Sequence, residues 1–169
     1  WCSVRLRGAL DRGALEAAIG AVVARHEILR TTFRTLADVG LPVQVVGDAA
    51  RVPVEYRDLA GLAAAARAAE EAGWAGGLAA GTVDGGGGDA GGDTLLRAAL
   101  FRRGETEHAL LLALPALCAD VRTLDNLVAQ VAAAYGEIAA GEAPRWDEAV
   151  QYVDFAEWVN EMRVSDEAR

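Results

Sequence analysis

The sequence predicts a mixed α/β domain with a central sheet flanked by helices, and three observations support this fold class. Short segments that alternate polar and apolar residues, such as Ser3–Arg7, are typical of half-buried strands. Two longer segments repeat apolar residues at intervals of three and four, as amphipathic helices do. A further segment, Ala109–Leu114, is apolar on both faces, which favours a strand in the interior of the sheet.

The first elements follow one another closely. Ser3–Arg7 is predicted to be a strand, and Asp11 is suited to cap the helix that follows. The apolar stripe that begins at Leu15 continues toward Leu29, which predicts a helix of about five turns. β-branched and aromatic residues up to Phe33 then predict a second strand.

The middle of the chain predicts a hairpin, a short strand, a helix and a loop. Asp38–Gly40 is typical of a turn, and Pro42–Val46 of the returning strand. Val52–Tyr56 alternates as another strand, and Leu59–Trp74 is alanine-rich and predicted to be helical. Residues 75–93 are rich in glycine and predict a flexible surface loop. A phosphate-binding glycine loop would lead into a helix, whereas a strand follows here.

The last third of the chain predicts a hairpin and two helices. Leu95–Arg102 and Ala109–Leu114 flank a turn that contains Gly104. Thr123 is suited to cap a long helix, and Tyr152–Trp158 is predicted to begin a terminal one. The apolar stripe of the long helix consists of Leu124, Leu127, Val128, Val131 and Tyr135.

Composition argues against several classes of function. The 169 residues have a formal charge of −9, from 16 basic and 25 acidic residues, so nucleic acid is not an expected partner. Every basic residue is arginine, which excludes lysine Schiff-base chemistry and a phosphate-loop lysine. With two histidines and two cysteines in the chain, a zinc site is not expected.

Hydropathy and the cysteines indicate where the chain acts. No run of 18 apolar residues is free of charge or glycine, so no membrane span is expected. Cys2 and Cys118 are far apart in sequence, and we expect reduced thiols in the cytoplasm. The start at Trp1, without a signal peptide, predicts a piece of a longer polypeptide.

Two motifs resemble those of one protein family. Arg25–Phe33 (RHEILRTTF) resembles the RHExLRTxF motif of condensation domains from nonribosomal peptide synthetases, and Tyr152–Trp158 (YVDFAEW) resembles their YxDFAxW motif. Arg5–Gly8, Pro42–Val46 and Leu95–Leu100 are weaker matches in the same order. The resemblance implies that residues 1–169 form the N-terminal lobe of a domain with two chloramphenicol-acetyltransferase-like lobes.

The resemblance also implies partners. They are the C-terminal lobe of the same domain and peptidyl or acyl carrier proteins. The phosphopantetheine arm belongs to those carriers, so no cofactor is expected to bind this chain directly.

The active-site motif of the family, His-His-x-x-x-Asp-Gly, aligns with Pro115–Val121, and only Asp120 matches. Pro115 and Ala116 then occupy the two histidine positions, and Val121 the glycine position. In the family, the second histidine orients or deprotonates the acceptor amine that attacks a thioester. Alanine transfers no proton, so we expect impaired activity, by roughly two to four powers of ten in rate.

The remaining residues of that segment are open to several interpretations. Asp120 is an active-site acid, a helix cap, or a structural carboxylate paired with a buried arginine. The resemblance favours the last of these, with Arg25 or Arg30 as the partner. Cys118 is a candidate nucleophile, although a cysteine between apolar neighbours is more often a small buried side chain.

The other candidates have structural interpretations. His26 is expected in the core or at a helix end, and His108 is expected to be exposed at a hairpin edge. Phe155 and Trp158, at helical spacing, are expected to anchor the terminal helix in a core.

The family resemblance, together with the missing histidines, leaves two candidate functions. A degenerate condensation domain would dock carrier proteins, gate access to a site or hold neighbouring domains in place. The alternative is an active, histidine-independent acyltransferase that forms an amide or ester bond by positioning an already activated thioester, with help from Asp120. An interaction module unrelated to acyl carriers fits the matching motifs poorly.

Overall fold

The computed structural model describes residues 1–35, 42–48, 52–81, 95–116 and 118–164. Its strands are β1 (Cys2–Arg7), β2 (Thr31–Thr35), β3 (Pro42–Val46), β4 (Val54–Asp58), β5 (Arg97–Arg102) and β6 (Glu107–Ala113). Its helices are α1 (Arg12–Arg25), α2 (Ala64–Gly81), α3 (Val121–Ala139) and α4 (Tyr152–Val164), and a 3-10 turn occupies Glu27–Arg30.

Four strands form a mixed sheet in the order β1-β6-β5-β4. β6 is antiparallel to both of its neighbours, while β4 runs parallel to β5. β2 and β3 pair separately as an antiparallel hairpin. This arrangement confirms the mixed central sheet and the interior position of the apolar strand.

Successive side chains of β5 and β6 point to opposite faces of the sheet, so the buried residues form one core on each face. On one face, the buried residues include Ala98, Leu100, Leu110 and Leu112 from the sheet, Ile19 and Val22 from α1, and Leu127 and Val131 from α3. On the other face, the buried residues are Ala99, Phe101, Ala109 and Leu111 from the sheet, with Leu59 and Ala75. The sheet therefore lies between α1 and α3 on one side and α2 on the other.

β1 shows the same alternation at one edge of the sheet. Val4 and Leu6 are half-buried and pack against the core, whereas Arg5 and Arg7 are exposed. After β1, Asp11 caps α1 as predicted, because its carboxylate accepts a hydrogen bond from the Ala14 N–H at 3.0 Å.

α1 is shorter than the five turns expected from the sequence. It ends at Arg25 because His26 is extended, with φ −110° and ψ 107°, and the chain then enters the 3-10 turn. That turn buries Leu29 beneath the sheet and leads directly into β2. The apolar stripe of α1 therefore continues to Leu29, although the backbone changes from an α-helix to a 3-10 turn.

The position of α2 differs from the prediction of a helix over residues 59–74. Leu59 lies in the core before the helix starts, and Ala75 is buried against the sheet, so the helix continues past Trp74 to Gly81. Residues 75–81, expected as the start of the glycine-rich loop, are therefore helical. The rest of that segment, residues 82–93, and the turn expected at residues 38–40 lie outside the described residues.

Candidate functional site

The segment between β6 and α3 lies where the sequence predicts the active-site motif, at the end of the interior strand. It begins with a tight turn in which the Cys118 N–H donates to the Pro115 carbonyl at 3.0 Å. Ala116 lies in this turn and is exposed. The position that aligns with the family's second histidine therefore presents a methyl group to solvent.

Asp120 is the N-cap of α3, which the sequence assigned to Thr123. Asp120 Oδ1 accepts a hydrogen bond from the Thr123 N–H at 2.7 Å, and the Thr123 hydroxyl oxygen accepts one from the Asp120 N–H at 3.3 Å. These two bonds form a capping box. The hydrogen bonds from Thr123 lower the pKa of the Asp120 carboxyl.

The expected pairing of Asp120 with a buried arginine is absent from the described part of the chain. The Asp120 side chain is exposed and makes no ion pair with Arg25 or Arg30 there. Other groups hold both arginines, as described below. Of the interpretations given for Asp120, the geometry matches the helix cap.

Cys118 is half-buried, and burial raises the pKa of its thiol. A raised pKa keeps sulfur protonated at neutral pH, whereas a nucleophilic cysteine needs a lowered one. Within the described residues, neither His26 nor His108 forms a hydrogen bond to this thiol. The environment of Cys118 therefore favours an unreactive side chain.

Arg25 is the last residue of α1, and Arg30 is the last residue of the 3-10 turn. The Arg25 guanidinium carbon lies 5.0 Å from the ring centroid of Trp146, a cation–π contact. Arg30 donates to the Gly47 carbonyl and, through Nη2, to Glu27 Oε1 at 3.3 Å. These contacts join α1 to Trp146 and the 3-10 turn to Gly47.

The two histidines differ in position. His26 Nε2 lies 2.7 Å from Gln130 Oε1, which joins the end of α1 to α3 and agrees with a helix-end role. His108 is 8% exposed, so the expectation that it would lie in solvent is wrong. It belongs to β6, which starts at Glu107, and it pairs there between Leu6 and Arg102.

Gln151 is a connecting residue that the sequence analysis missed. Its side-chain Nε2 donates to the Arg25 carbonyl at 3.1 Å, and its Oε1 accepts from the Glu27 N–H at 3.1 Å. One amide group thus bridges the break between α1 and the 3-10 turn. Its position directly before the YVDFAEW motif was the available signal, but a contact across more than one hundred residues leaves no periodic pattern.

Phe155 and Trp158 do not anchor α4 in a core, contrary to the expectation. Their side chains are 51% and 54% exposed, and their ring centroids lie 6.0 Å apart. The residues of α4 that turn toward the protein are Ala156 and Val159, which are half-buried. The aromatic rings lie beside that contact, so the described residues cover them only in part.

Neither a metal cluster nor a membrane-spanning helix is present among the described residues. No three His, Cys, Asp or Glu side chains of the described ranges lie close enough to hold a metal ion together. None of the helices described is both long and apolar enough to cross a membrane.

Comparison with known proteins identifies the family. The condensation domain model matches residues 2–169. Isonitrile lipopeptide synthase of Mycobacterium tuberculosis is 37% identical over 165 residues, a match that covers 95% of this chain and 6% of the synthase. The chain spans between 2% and 6% of the first curated relatives that it matches.

Solved structures agree with this match. The X-domain from teicoplanin biosynthesis is 36% identical, with a TM-score of 0.71, and the match covers 97% of this chain and 34% of that one. A mutant starter condensation domain of rhizomide synthetase RzmA has a TM-score of 0.80 at 19% identity, covering 96% of this chain and 35% of its own, and it shows the fold alone. By sequence and by fold, the chain belongs to the condensation domain family, and its relatives are nonribosomal peptide synthetases.

Proposed function

We propose that this chain is the N-terminal lobe of a condensation-type domain that binds carrier proteins and neighbouring proteins in a cytoplasmic peptide synthetase, without histidine-dependent catalysis. Its partners would be the C-terminal lobe and carrier proteins bearing phosphopantetheine arms. The domain would hold or gate these partners during peptide natural-product synthesis.

The observation on which this proposal rests is the composition and geometry of the segment from Pro115 to Asp120. The second histidine position is Ala116, which has no proton donor or acceptor. Asp120 is engaged with Thr123 at the start of α3, and its lowered pKa makes it a weaker base than an ordinary carboxylate. Cys118 has a raised thiol pKa. None of these groups is a strong base or nucleophile at neutral pH.

The X-domain supports the docking interpretation. At 36% identity it is much more similar to this chain than the RzmA domain, which is 19% identical. A complex of the X-domain and OxyB from teicoplanin biosynthesis has been solved, in which the X-domain chain is again 36% identical to this one. A condensation-like fold can therefore serve as a binding partner for another protein. We propose the same kind of role here.

The test uses the complete two-lobed domain with one donor-loaded and one acceptor-loaded carrier protein. Intact-mass spectrometry follows transfer of the acyl group, and a binding measurement follows each carrier separately. We expect both carriers to bind and no transfer above the background rate. Ala116→His is the gain-of-function variant, and Val150→His is a matched control because Val150 is exposed and far from the segment in sequence.

Each outcome separates the proposed function from its alternative. Transfer by the unaltered domain that requires both loaded carriers would establish a histidine-independent acyltransferase and overturn the proposal. Its loss in Asp120→Asn, with the fold retained, would assign the help to Asp120. Absence of binding to either carrier would overturn it as well. Carrier binding without transfer supports it, whether or not Ala116→His introduces activity.

A further inference from the structure

A groove of about 270 Å³ runs between the strand β1 and the helix α3. We call it the edge groove, and its apolar lining includes Val4 and Leu6 of β1, Leu110 of β6, and Val128, Ala132 and Tyr135 of α3. Val4, Leu6, Val128 and Tyr135 are only half-buried, although they pack against the core on this face of the sheet. α3 therefore leaves the inward side of β1 partly open.

The edge groove opens along the free backbone edge of β1. Consecutive residues from Val4 to Leu10 border it, although neighbouring side chains of a strand point to opposite faces. The backbone of β1 therefore forms part of the groove wall. Because β6 pairs with one edge of that backbone, the edge toward the groove is the one with which no other described strand pairs.

An unpaired strand edge beside an apolar groove is suited to bind an extended peptide as an added strand. Backbone hydrogen bonds to the edge hold such a peptide, and pockets for its alternate side chains select its sequence. A strand added to β1 would direct every second side chain over Val4 and Leu6, into the edge groove. Apolar cavities of about 150 Å³ hold a benzene molecule, so this groove has room for one or two aliphatic side chains.

The remaining side chains of an added strand would lie beside positive charge. Arg5 and Arg7 are exposed and point to the other face of β1. Arg5 Nε lies 4.0 Å from Glu107 Oε1, and these side chains are 58% and 45% exposed, so the ion pair is weak. Opposite charges on neighbouring strands attract each other. The two arginines therefore favour a strand with acidic residues on this face.

We infer that β1 binds an extended segment of another protein in which apolar and acidic residues alternate. The apolar residues would fill the edge groove, and the acidic residues would lie beside Arg5 and Arg7. The inference rests on the docking role proposed above and specifies one contact within it, but it involves neither carrier proteins nor the segment around Ala116. Carrier binding and peptide binding can therefore fail separately, and separate measurements distinguish the two failures.

The test uses the complete condensation domain and synthetic peptides of about eight residues, a usual length for a strand. One peptide alternates valine and glutamate, and a second alternates valine and lysine. A third has the composition of the first, with all valines before all glutamates. Fluorescence anisotropy measures binding, and hydrogen exchange follows the amides of Cys2–Arg7. We expect the valine–glutamate peptide to bind about tenfold more tightly than the others and to slow exchange of the β1 amides that do not bond to β6.

Two pairs of matched variants test where the peptide binds. Ala132→Phe fills the edge groove from α3, and Ala133→Phe adds the same ring at an exposed position outside the groove lining. We expect the first to weaken binding of the valine–glutamate peptide about tenfold and the second to leave it unchanged. Arg5→Glu should weaken the same peptide about twofold to fivefold and strengthen the valine–lysine peptide. Arg145→Glu makes the same change in net charge at another exposed site and should do neither.

Other occupants of the edge give different results. Slow exchange of every β1 amide in the complete domain without peptide would mean that the second lobe already pairs with this edge, and would overturn the inference. Protection that rises with domain concentration, together with a dimer mass, would assign the edge to a second copy and overturn it as well. Equal binding of all three peptides, or an unchanged affinity in Ala132→Phe, would exclude strand addition at the edge groove and overturn it too.

Discussion

Asp120 and Thr123 cap each other at the first turn of α3, each side chain accepting a hydrogen bond from the backbone N–H of the other. The same turn belongs to the segment that aligns with the family's active-site motif. An aspartate retained in that alignment is therefore explained here by helix formation. Measurements of stability, pH dependence, alkylation and coupling distinguish this explanation, and the contacts around α1, from the alternatives.

Removal of the cap should have a modest effect on stability. Asp120→Ala leaves the Thr123 N–H without its side-chain acceptor, and we expect the Tm of the complete domain to fall by a few degrees. Asp120→Asn retains an acceptor oxygen and should stay close to the original Tm. An aspartate in a buried ion pair would tolerate neither change, so equal destabilisation by both variants would contradict the cap.

The pH dependence of the cap has a definite sign. Because the folded-state pKa of Asp120 is lowered, its charged form contributes stability above the unfolded-state pKa. That contribution decreases as the pH falls through the folded-state pKa. The Tm of the original domain minus that of Asp120→Asn should therefore decrease in acid. Thermal unfolding of both proteins between neutral and acidic pH measures this difference, and an increase in acid would contradict the assignment.

Cys118 should react slowly with alkylating reagents. Burial raises the pKa of its thiol, so the thiolate fraction at neutral pH is smaller than that of a free cysteine. We expect iodoacetamide to modify Cys118 more slowly than glutathione in a Cys2→Ser background, which leaves one thiol in this chain. The rate should keep rising with pH above neutrality. A rate that is fast and flat near pH 7 would instead indicate an activated nucleophile.

Gln151 should stabilise the junction between α1 and the 3-10 turn. Gln151→Ala removes two hydrogen bonds, to Arg25 and Glu27, and should cost about 1–3 kcal/mol in the free energy of unfolding. Gln151→Glu keeps an acceptor for the Glu27 N–H but loses the donor to the Arg25 carbonyl. We expect faster hydrogen exchange of the Glu27 amide in Gln151→Ala than in Gln151→Glu. Unchanged exchange in both variants would show that the bridge contributes nothing.

The contact between Arg25 and Trp146 should be measurable as a coupling. A double-mutant cycle with Arg25→Met and Trp146→Leu should give an interaction free energy of about 0.5–1 kcal/mol in urea unfolding. The control cycle uses Arg12 and Tyr56, whose guanidinium-to-ring distance of 4.7 Å is similar but lies at another site. Additive effects of Arg25→Met and Trp146→Leu would show that the contact does not stabilise the fold.

Sequence patterns predicted the elements of this fold better than their ends. The stripe of α3 was visible because Leu127 and Val131 repeat at helical spacing and face the sheet. The ends of α2 were not visible in the sequence, because an alanine-rich segment has no apolar stripe to mark them. The burial of Ala75 against the sheet accompanies the continuation of the helix past Trp74. Asp120 and Thr123 are both good cap residues, and only the backbone geometry assigns their positions.

For the candidate site, the sequence predicted the position of the segment but not the contacts of its side chains. Alignment located the segment around Ala116 correctly between β6 and α3, because strand and helix patterns bracket it. The arginine partner that the resemblance implied for Asp120 is absent from the described residues, and an arginine contact depends on tertiary distances that spacing does not contain. The bridging role of Gln151 was missed for the same reason. Phe155 and Trp158 were expected in a core because helical spacing indicates a common side but not what faces that side.

The alternation of β1 has a consequence for solubility as well as for packing. β1 lies at an edge of the sheet, and edge strands offer unpaired backbone groups to other molecules. If two copies met antiparallel along this edge, the exposed Arg5 and Arg7 of each would lie across from those of the other at cross-strand distances, where like charges repel. The residue pattern that directs Val4 and Leu6 inward thus also discourages aggregation through β1.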